Sequence, residues 1–475
     1  MMMRQARAFL VAGASLALAA CSLVPRDGPP TLPLPASYSD VGLREADLLA
    51  EWWRGFGSAD LDAAIAAALA GNPGLEASVA RIEQARANLR IAGADLFPTI
   101  GASLDSTRNW VSGEGFGGGF GTGIGGRGVG GGGFSGTTHL GRVNVSYELD
   151  VFGRIRAGQA AAAERYAASR YDRAAVELLL LAEVADGFVS VTSLRERLAI
   201  ARANLDAERQ VLGVVEARLR EGKTSRLEVA QQRTAFANAE AAVTALEQLL
   251  RDAANALAVL QGAMPDGAAA GPDALAALTL PSIAPGQPAL LLTRRPDLQR
   301  AEAELAAANA DIGAARAALL PSLSLSGSGN FGIDPATTIG SLAAALAAPI
   351  FQGGRLQAGV ELSQARRAEL VANYRDAVLT AVREVEDALN AVNASARRRA
   401  ALTVAAREAV SATRLARQLF LEGRADFLTL LTSQAAEFRA EDAQVEARRA
   451  EFSAAIALYR ALGGGWSESG AAPPP

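Results

Sequence analysis

A single cysteine and a single histidine in 475 residues leave no disulfide, no Cys/His zinc set and no Ser-His-Asp or Cys-His constellation unless His139 supplies the imidazole. His139 lies between a glycine-rich run and a strand-like segment, where an ordinary surface histidine is the simpler reading. Aromatic residues make up only 5% of a chain that is 50% hydrophobic, so its interior must be built from Ala, Leu and Val, small side chains that suit closely packed helices. Positive charge is not in excess. With 46 Lys and Arg against 50 Asp and Glu, spread rather than clustered, the electrostatic footprint of a nucleic-acid binder is missing, and nucleic acid is not an expected partner. Proline is absent from residues 99–264 and again from 350–472, so nothing interrupts a helix there. No phosphate-binding loop, metal set or catalytic pair stands out. The expected catalytic residues, cofactors and metal ligands are therefore none, and the protein is not expected to be an enzyme.

The apolar run over residues 8–18, preceded by Arg4 and Arg7, has the charge and length of a secretory signal and is too short to span a bilayer as a helix. It ends Leu18-Ala19-Ala20-Cys21, which resembles the lipobox of bacterial lipoproteins, in which cleavage leaves the cysteine as a lipid-modified terminus. In that family a serine after the cysteine favours delivery to the outer membrane, and Ser22 fits. Residues 22–37 contain Pro25, Pro29, Pro30, Pro33 and Pro35, a density that rules out helix and reads as an extended tether.

The chain is written twice. Gly153, Arg154, Asp186, Gly222, Leu227 and Gly262 return 201 positions later as Gly354, Arg355, Asp387, Gly423, Leu428 and Gly463. Upstream, Pro73, Leu75 and Pro98 return 223 positions later as Pro296, Leu298 and Pro321. The difference falls in a glycine-rich insertion over residues 112–136, and a period this long argues for two pseudo-equivalent halves rather than a solenoid. The insertion reads as a mobile loop; its Gly113-Glu114-Gly115-Phe116-Gly117-Gly118 has no following helix or βαβ unit to make it a dinucleotide site.

Each half predicts two half-apolar strands, at about 97–112 and 139–150 and at about 320–331 and 339–350, where period-two alternation appears, as in Leu323 and Leu325 against Ser322, Ser324, Ser326 and Ser328. Each pair is followed by a helical hairpin, over 154–262 and 355–462. A stripe at Val378, Val382, Val385, Leu389 and Val392, and another at Leu205, Leu212, Val215 and Leu219, steps by three and four as in side-by-side supercoiled helices. The hairpins turn at Gly222, Lys223, Thr224 and Ser225 and at Gly423, Arg424, Ala425 and Asp426. The expected segmentation is a signal peptide over 1–20, a lipidated tether over 21–42, a first repeat over 43–262, a connector over 263–293, a second repeat over 294–463 and a tail over 464–475.

A ten-residue strand with one apolar face is long enough to cross an outer membrane, but only a closed barrel satisfies every backbone group in lipid. Four strands do not close. Two copies would make a filled eight-stranded plug, whereas three would place twelve strands around an open lumen. A soluble β-sandwich face is the alternative reading of the strands alone.

Trp52-Trp53-Arg54-Gly55-Phe56, Asn72-Pro73, Asp150-Val151-Phe152-Gly153-Arg154, Arg294-Arg295-Pro296-Asp297-Leu298, Ala308-Asn309-Ala310-Asp311-Ile312-Gly313 and Pro349-Ile350-Phe351-Gln352-Gly353-Gly354-Arg355 together resemble the TolC-like outer-membrane efflux ducts, in the OprM/NodT lipoprotein branch. The resemblance implies a mixed α and β membrane protein: a homotrimer whose 12-stranded β-barrel, four strands per chain, sits in outer-membrane lipid and continues into a long periplasmic α-helical barrel. It implies attachment of lipid at Cys21 and docking of a periplasmic adaptor at the two tips, with an inner-membrane RND-type pump as the source of substrate. Family members often carry an acidic ring at the periplasmic aperture. This chain has Thr429-Leu430-Leu431-Thr432 there, which leaves Glu228, Asp426, Thr429 and Thr432 as candidate aperture residues. The expected function is a passive exit duct for small toxic molecules. The outer component of a type I protein-secretion system shares the architecture, and a non-conducting periplasmic coiled-coil scaffold is the rival from another class.

Overall fold

A computed structural model of the chain describes residues 23–25, 27–35, 37–38, 51–110, 135–266, 271–281, 287–333 and 336–464. The expected signal peptide, Cys21, most of the glycine-rich loop and nearly all of the expected tail lie outside the described residues. The chain forms two compact units, one from Met1–Gly28, Ala85–Arg165 and Leu305–Glu369, the other from Pro29–Gln84, Tyr166–Glu304 and Leu370–Pro475.

The first unit holds one sheet of four strands in sequence order: β1 (Thr99–Trp110), β2 (Ser135–Leu149), β3 (Ser322–Ile333) and β4 (Ala336–Ala347). All three pairings are antiparallel. β1 starts two residues later than expected because Pro98 has no N–H to give a ladder. β2 starts four residues earlier, at Ser135, and β4 three earlier, at Ala336. In both places a partner strand supplies the ladder, Trp110 opposite Ser135 and Ile333 opposite Ala336, and pairing overrides the weak strand preference of Gly136 and Ala336.

The second unit is helical; helix residues 85–94, 154–165, 305–317 and 355–369 belong to the first. Helices α1 (Ala59–Gly71) and α2 (Pro73–Ala94) meet at Asn72-Pro73, where Asn72 caps α2 by accepting from Leu75 N–H at 3.1 Å. The long helices α3 (Arg154–Arg220) and α6 (Arg355–Leu421) have 67 residues each. Their returning partners α4 (Arg226–Leu260) and α7 (Phe427–Ala461) have 35 each; α5 (Pro296–Ala317) is the second copy of α2, both being 22 residues long. The repeat extends to hydrogen bonds: Asn72 Nδ2 donates to Leu260 O at 2.8 Å, and at the equivalent positions Arg295 Nη1 donates to Ala461 O at 3.2 Å. Gly262 and Gly463 both have positive φ, 71° and 73°, and end α4 and α7 with their backbones against the chain at Gly71 and Arg294, where no Cβ fits.

Within this unit the two hairpins pack on each other. Val211 and Val215 of α3, Val229 of α4, Ala416 and Phe420 of α6, and Phe427 and Leu430 of α7 form one buried cluster, each large side chain contributing about 1.5–3 kcal/mol by leaving water. Arg197 of α3 bridges to Asp442 of α7 at 2.6 Å and to Glu446. The stripe expected on α6 is buried at Val378, Val385 and Leu389. On α3 the expected Val215 is buried, but its line continues through Val211, Glu208 and Ala201, leaving Leu205, Leu212 and Leu219 half-buried. The connector is packed rather than loose: Leu275 is fully buried, its N–H donates to Glu196 at 2.9 Å, and Thr279 N–H donates to Phe56 O at 3.0 Å. Among the described residues no helix is long and apolar enough to cross a membrane.

Candidate functional site

The register of the sheet sorts its residues into rows, because directly paired residues share a face. One face carries Leu149, Leu323 and Leu346; then Tyr147, Leu325 and Ala344; then Ile100, Val145, Gly327 and Leu342; then Ala102, Val143, Gly329 and Gly340; then Leu104, Gly141, Phe331 and Thr338. These five rows span about 27 Å along the strands, or roughly 21 Å of bilayer at a tilt of about 40°, close to the ~25 Å apolar band of a membrane barrel. Exposed aromatic residues mark the ends of the band, Phe331 in its last row and Trp110 beyond it toward the hairpin ends, Phe97 and Phe351 toward the helix connections, as interfacial girdles do. His139 lies beyond the last row, opposite Ser106, and is exposed.

The other face carries Thr99, Ser146, Ser326 and Ala343; then Gly101, Asn144, Ser328 and Ser341; then Ser103, Arg142, Asn330 and Ile339. Neighbouring strands bond across it, Arg142 Nε to Asn330 Oδ1 at 3.0 Å and Ser328 to Ser341 at 2.8 Å. Ala343 and Ile339 are the apolar exceptions in these rows. These rows form a hydroxyl and amide surface, suited to water and to solutes passing along it, and toward the helix connections the face ends in a pocket of about 420 Å³ lined by Glu148, Arg154, Ser322, Ala347 and Arg355. The strands at both edges, β1 and β4, keep one side unpaired in the chain, which lipid does not permit.

At the helical turns, Gly222 and Gly423 take left-handed backbone (φ 67° and 73°), and Lys223 N–H and Arg424 N–H reach back to Arg218 O and Leu419 O at 2.9 and 2.8 Å. Ser225 and Asp426 then cap α4 and α7, accepting from Glu228 N–H at 3.2 Å and Thr429 N–H at 2.7 Å. Of the four candidate aperture residues, both carboxylates are engaged locally. Glu228 accepts from the Thr224 and Ser225 hydroxyls at the start of α4. Hydrogen bonds from Thr429 hold the Asp426 carboxyl below the ordinary range. Thr429 and Thr432 lie exposed on α7, Thr432 donating to Leu428 O at 2.8 Å. The spacing Ser-x-x-Glu at 225–228 marks Ser225 as a cap, so that role was readable in the sequence.

Glu208 was missed. It is 4% exposed, its carboxylate receives Gln232 Nε2, and burial pushes its pKa above the ordinary value while Gln232 acts the other way. It borders a cavity of about 470 Å³ lined also by Asn204, Thr234, Asn238, Phe438 and Arg439. Its place three residues after Leu205, on the heptad line, is the signal that would have found it. Arg295 is likewise buried, bonded to Asp297 and Glu384 at 2.8 and 2.7 Å. Among the described residues no group of His, Cys, Asp and Glu is arranged to hold a metal ion.

The chain matches a family model described as outer membrane efflux protein over residues 64–263 and 288–464. It is 37% identical over 460 residues to the pyoverdine export outer membrane protein OpmQ of Pseudomonas aeruginosa, covering 95% of this chain and 96% of that one. It is 34% identical over 471 residues to the outer membrane protein OprJ of the same organism, covering 96% and 95%. Its backbone resembles the crystal structure of a membrane protein from Pseudomonas aeruginosa with a TM-score of 0.80 at 30% identity, covering 93% of this chain and 100% of the other.

Proposed function

Because the chain belongs to the outer membrane efflux protein family, we propose that it is the passive exit duct through which an inner-membrane RND-type pump, joined to it by a periplasmic adaptor, expels small molecules. Members are trimeric outer components of tripartite efflux systems, and the chain is accordingly an outer-membrane duct with a periplasmic helical extension. The observation that carries the reading is the segregation of the rows: Leu342, Val145 and Ile100 on one face, Ser341, Ser328 and Asn144 on the other, in a sheet whose two edge strands run in opposite directions. A sister copy therefore continues the antiparallel order, and three copies close.

The duct performs no chemistry and supplies no energy; choice of substrate lies with the pump, because the polar rows offer hydroxyls and amides that suit many solutes. The pyoverdine export named for OpmQ supports a substrate in the class of small secreted or toxic molecules. Cys21 carries lipid, and the adaptor docks on the tips at Gly222, Lys223, Thr224 and Ser225 and at Gly423, Arg424, Ala425 and Asp426. A strain lacking this protein should show the same pattern of antibiotic, dye and metal-ion susceptibility, and the same loss of small-molecule export, as a strain lacking its pump. Unaltered export in the strain lacking the duct would refute the reading.

A further inference from the structure

Leu23, Val24 and Asp27 are seated on helix α5 rather than loose. Val24 lies against Gly313, where an added Cβ would meet Val24 Cα at 3.2 Å and Cβ at 3.3 Å. Arg316 Nη1 donates to Leu23 O at 3.1 Å, and Asn309 Nδ2 donates to Asp27 O at 2.9 Å. Asn309 is itself oriented by Arg367, whose Nε donates to Asn309 Oδ1 at 2.6 Å and whose Nη2 stands 3.6 Å from the Asp27 carboxylate. Positions 309, 313 and 316 are spaced four and three apart, so one face of α5 makes all these contacts.

This face is not a by-product of the repeat. The positions 223 residues earlier are Arg86, Arg90 and Gly93, so the first copy has neither the amide nor the gap at the matching sites. The direction of the segment is also fixed. Asp27 pairs with position 309 and Leu23 with 316, so going back toward the N-terminus the chain follows α5 toward β3, which begins at Ser322. Two further residues reach at most about 7 Å beyond Leu23.

We propose that the α5 face formed by Asn309, Gly313 and Arg316 is an intramolecular receptor for the segment from Leu23 to Asp27, and that it fixes where the acylated Cys21 enters the membrane, at the end of α5 from which β3 departs. This rests on the reading of Cys21 as lipid-modified. A free proline-rich tether would let the acyl chains sample any position within its reach, whereas a docked one places each anchor beside its own protomer's third strand. The motif that contains Asn309 and Gly313 thereby gains a role that helix packing alone does not give it.

The test pairs Val24→Cys with Gly313→Cys in the full chain, expressed in cells, with radiolabelled palmitate reporting acylation separately. The Cβ separation of 3.3 Å is near the disulfide range, so the pair should oxidise within one chain in membrane-inserted trimers. Adding Asn309→Ala or Arg316→Ala should lower the oxidised fraction. Independently, Gly313→Leu should expel Val24 and reduce heat-stable trimer by about fivefold, the scale of a 1 kcal/mol change, with palmitate labelling retained. A pair that stays reduced in labelled trimers, or a Gly313→Leu trimer as heat-stable as the parent, overturns the docking while leaving the lipoprotein reading intact. Oxidation of the pair without palmitate at Cys21 overturns the anchor instead.

Discussion

At the scale of single residues, the polar groups that matter are those with the least freedom. Glu208 sits in the helical seam and its pKa is raised by burial, so the folded protein holds that proton more tightly than the unfolded chain. Its contribution to stability is present below the ordinary carboxylate value of 4.5 and is lost as pH rises through the raised value. Glu208→Gln keeps an acceptor for Gln232 and removes the ionisation. The heat stability of the Glu208→Gln trimer should therefore exceed that of the parent at pH 7 and converge with it in acid; a difference independent of pH would show that the carboxylate is not the cause. The tip carboxylates give the opposite expectation. Asp426 acts as a cap, and asparagine caps equally well, so Asp426→Asn and Glu228→Gln should leave single-channel conductance and cation selectivity unchanged, while Asp426→Ala frays the start of α7. A change in selectivity with Asp426→Asn would make that residue part of an electrostatic gate.

At the scale of elements, the long helices were legible because 201-residue recurrence and the absence of proline constrain both copies at once: α3 and α6 end at the glycine-bearing turns that the repeat marks. The strands were legible as alternation but not as boundaries. Ser135 and Ala336 join the sheet only because Trp110 and Ile333 lie opposite them, a fact of pairing that no local pattern carries. In the sequence the docked segment at Leu23 reads only as a tether, because proline density excludes helix but says nothing about a receptor elsewhere. Cross-strand register is equally invisible, yet it is what turns alternation into two faces. Leu342 lies in the middle apolar row and Ser341 next to it faces the other way. Leu342→Arg should cost about 2–4 kcal/mol, as for a cation at the midplane on the lipid side, and abolish heat-modifiable trimer. Ser341→Arg should assemble normally and reduce cation conductance. The two outcomes exchanged would mean that the faces have been assigned the wrong way round.

At the scale of the whole molecule, three chains supply six helical hairpins, and the equality of the two copies within a chain decides what a partner meets. Because α3 matches α6 and α4 matches α7 residue for residue in length, the two tips of each chain are alternative versions of one surface. Both carry a short ion pair, Lys223 with Glu221 at 2.8 Å and Arg424 with Glu422 at 3.1 Å. Both expose a leucine at the start of the returning helix, Leu227 at 66% and Leu428 at 55%, while Val229 and Leu430 two residues on are buried. An exposed leucine repeated beside a cap leaves more than half of its surface in water, so it is available to an adaptor's apolar contact. If the adaptor engages both versions, Leu227→Asp and Leu428→Asp should each weaken capture of the adaptor by about tenfold, roughly the 1.4 kcal/mol expected for losing one partly buried leucine contact. The double variant should abolish export while the isolated trimer conducts as before. Full adaptor capture by the double variant would move docking away from these leucines, and loss of capture from only one single variant would show that the adaptor distinguishes the two copies.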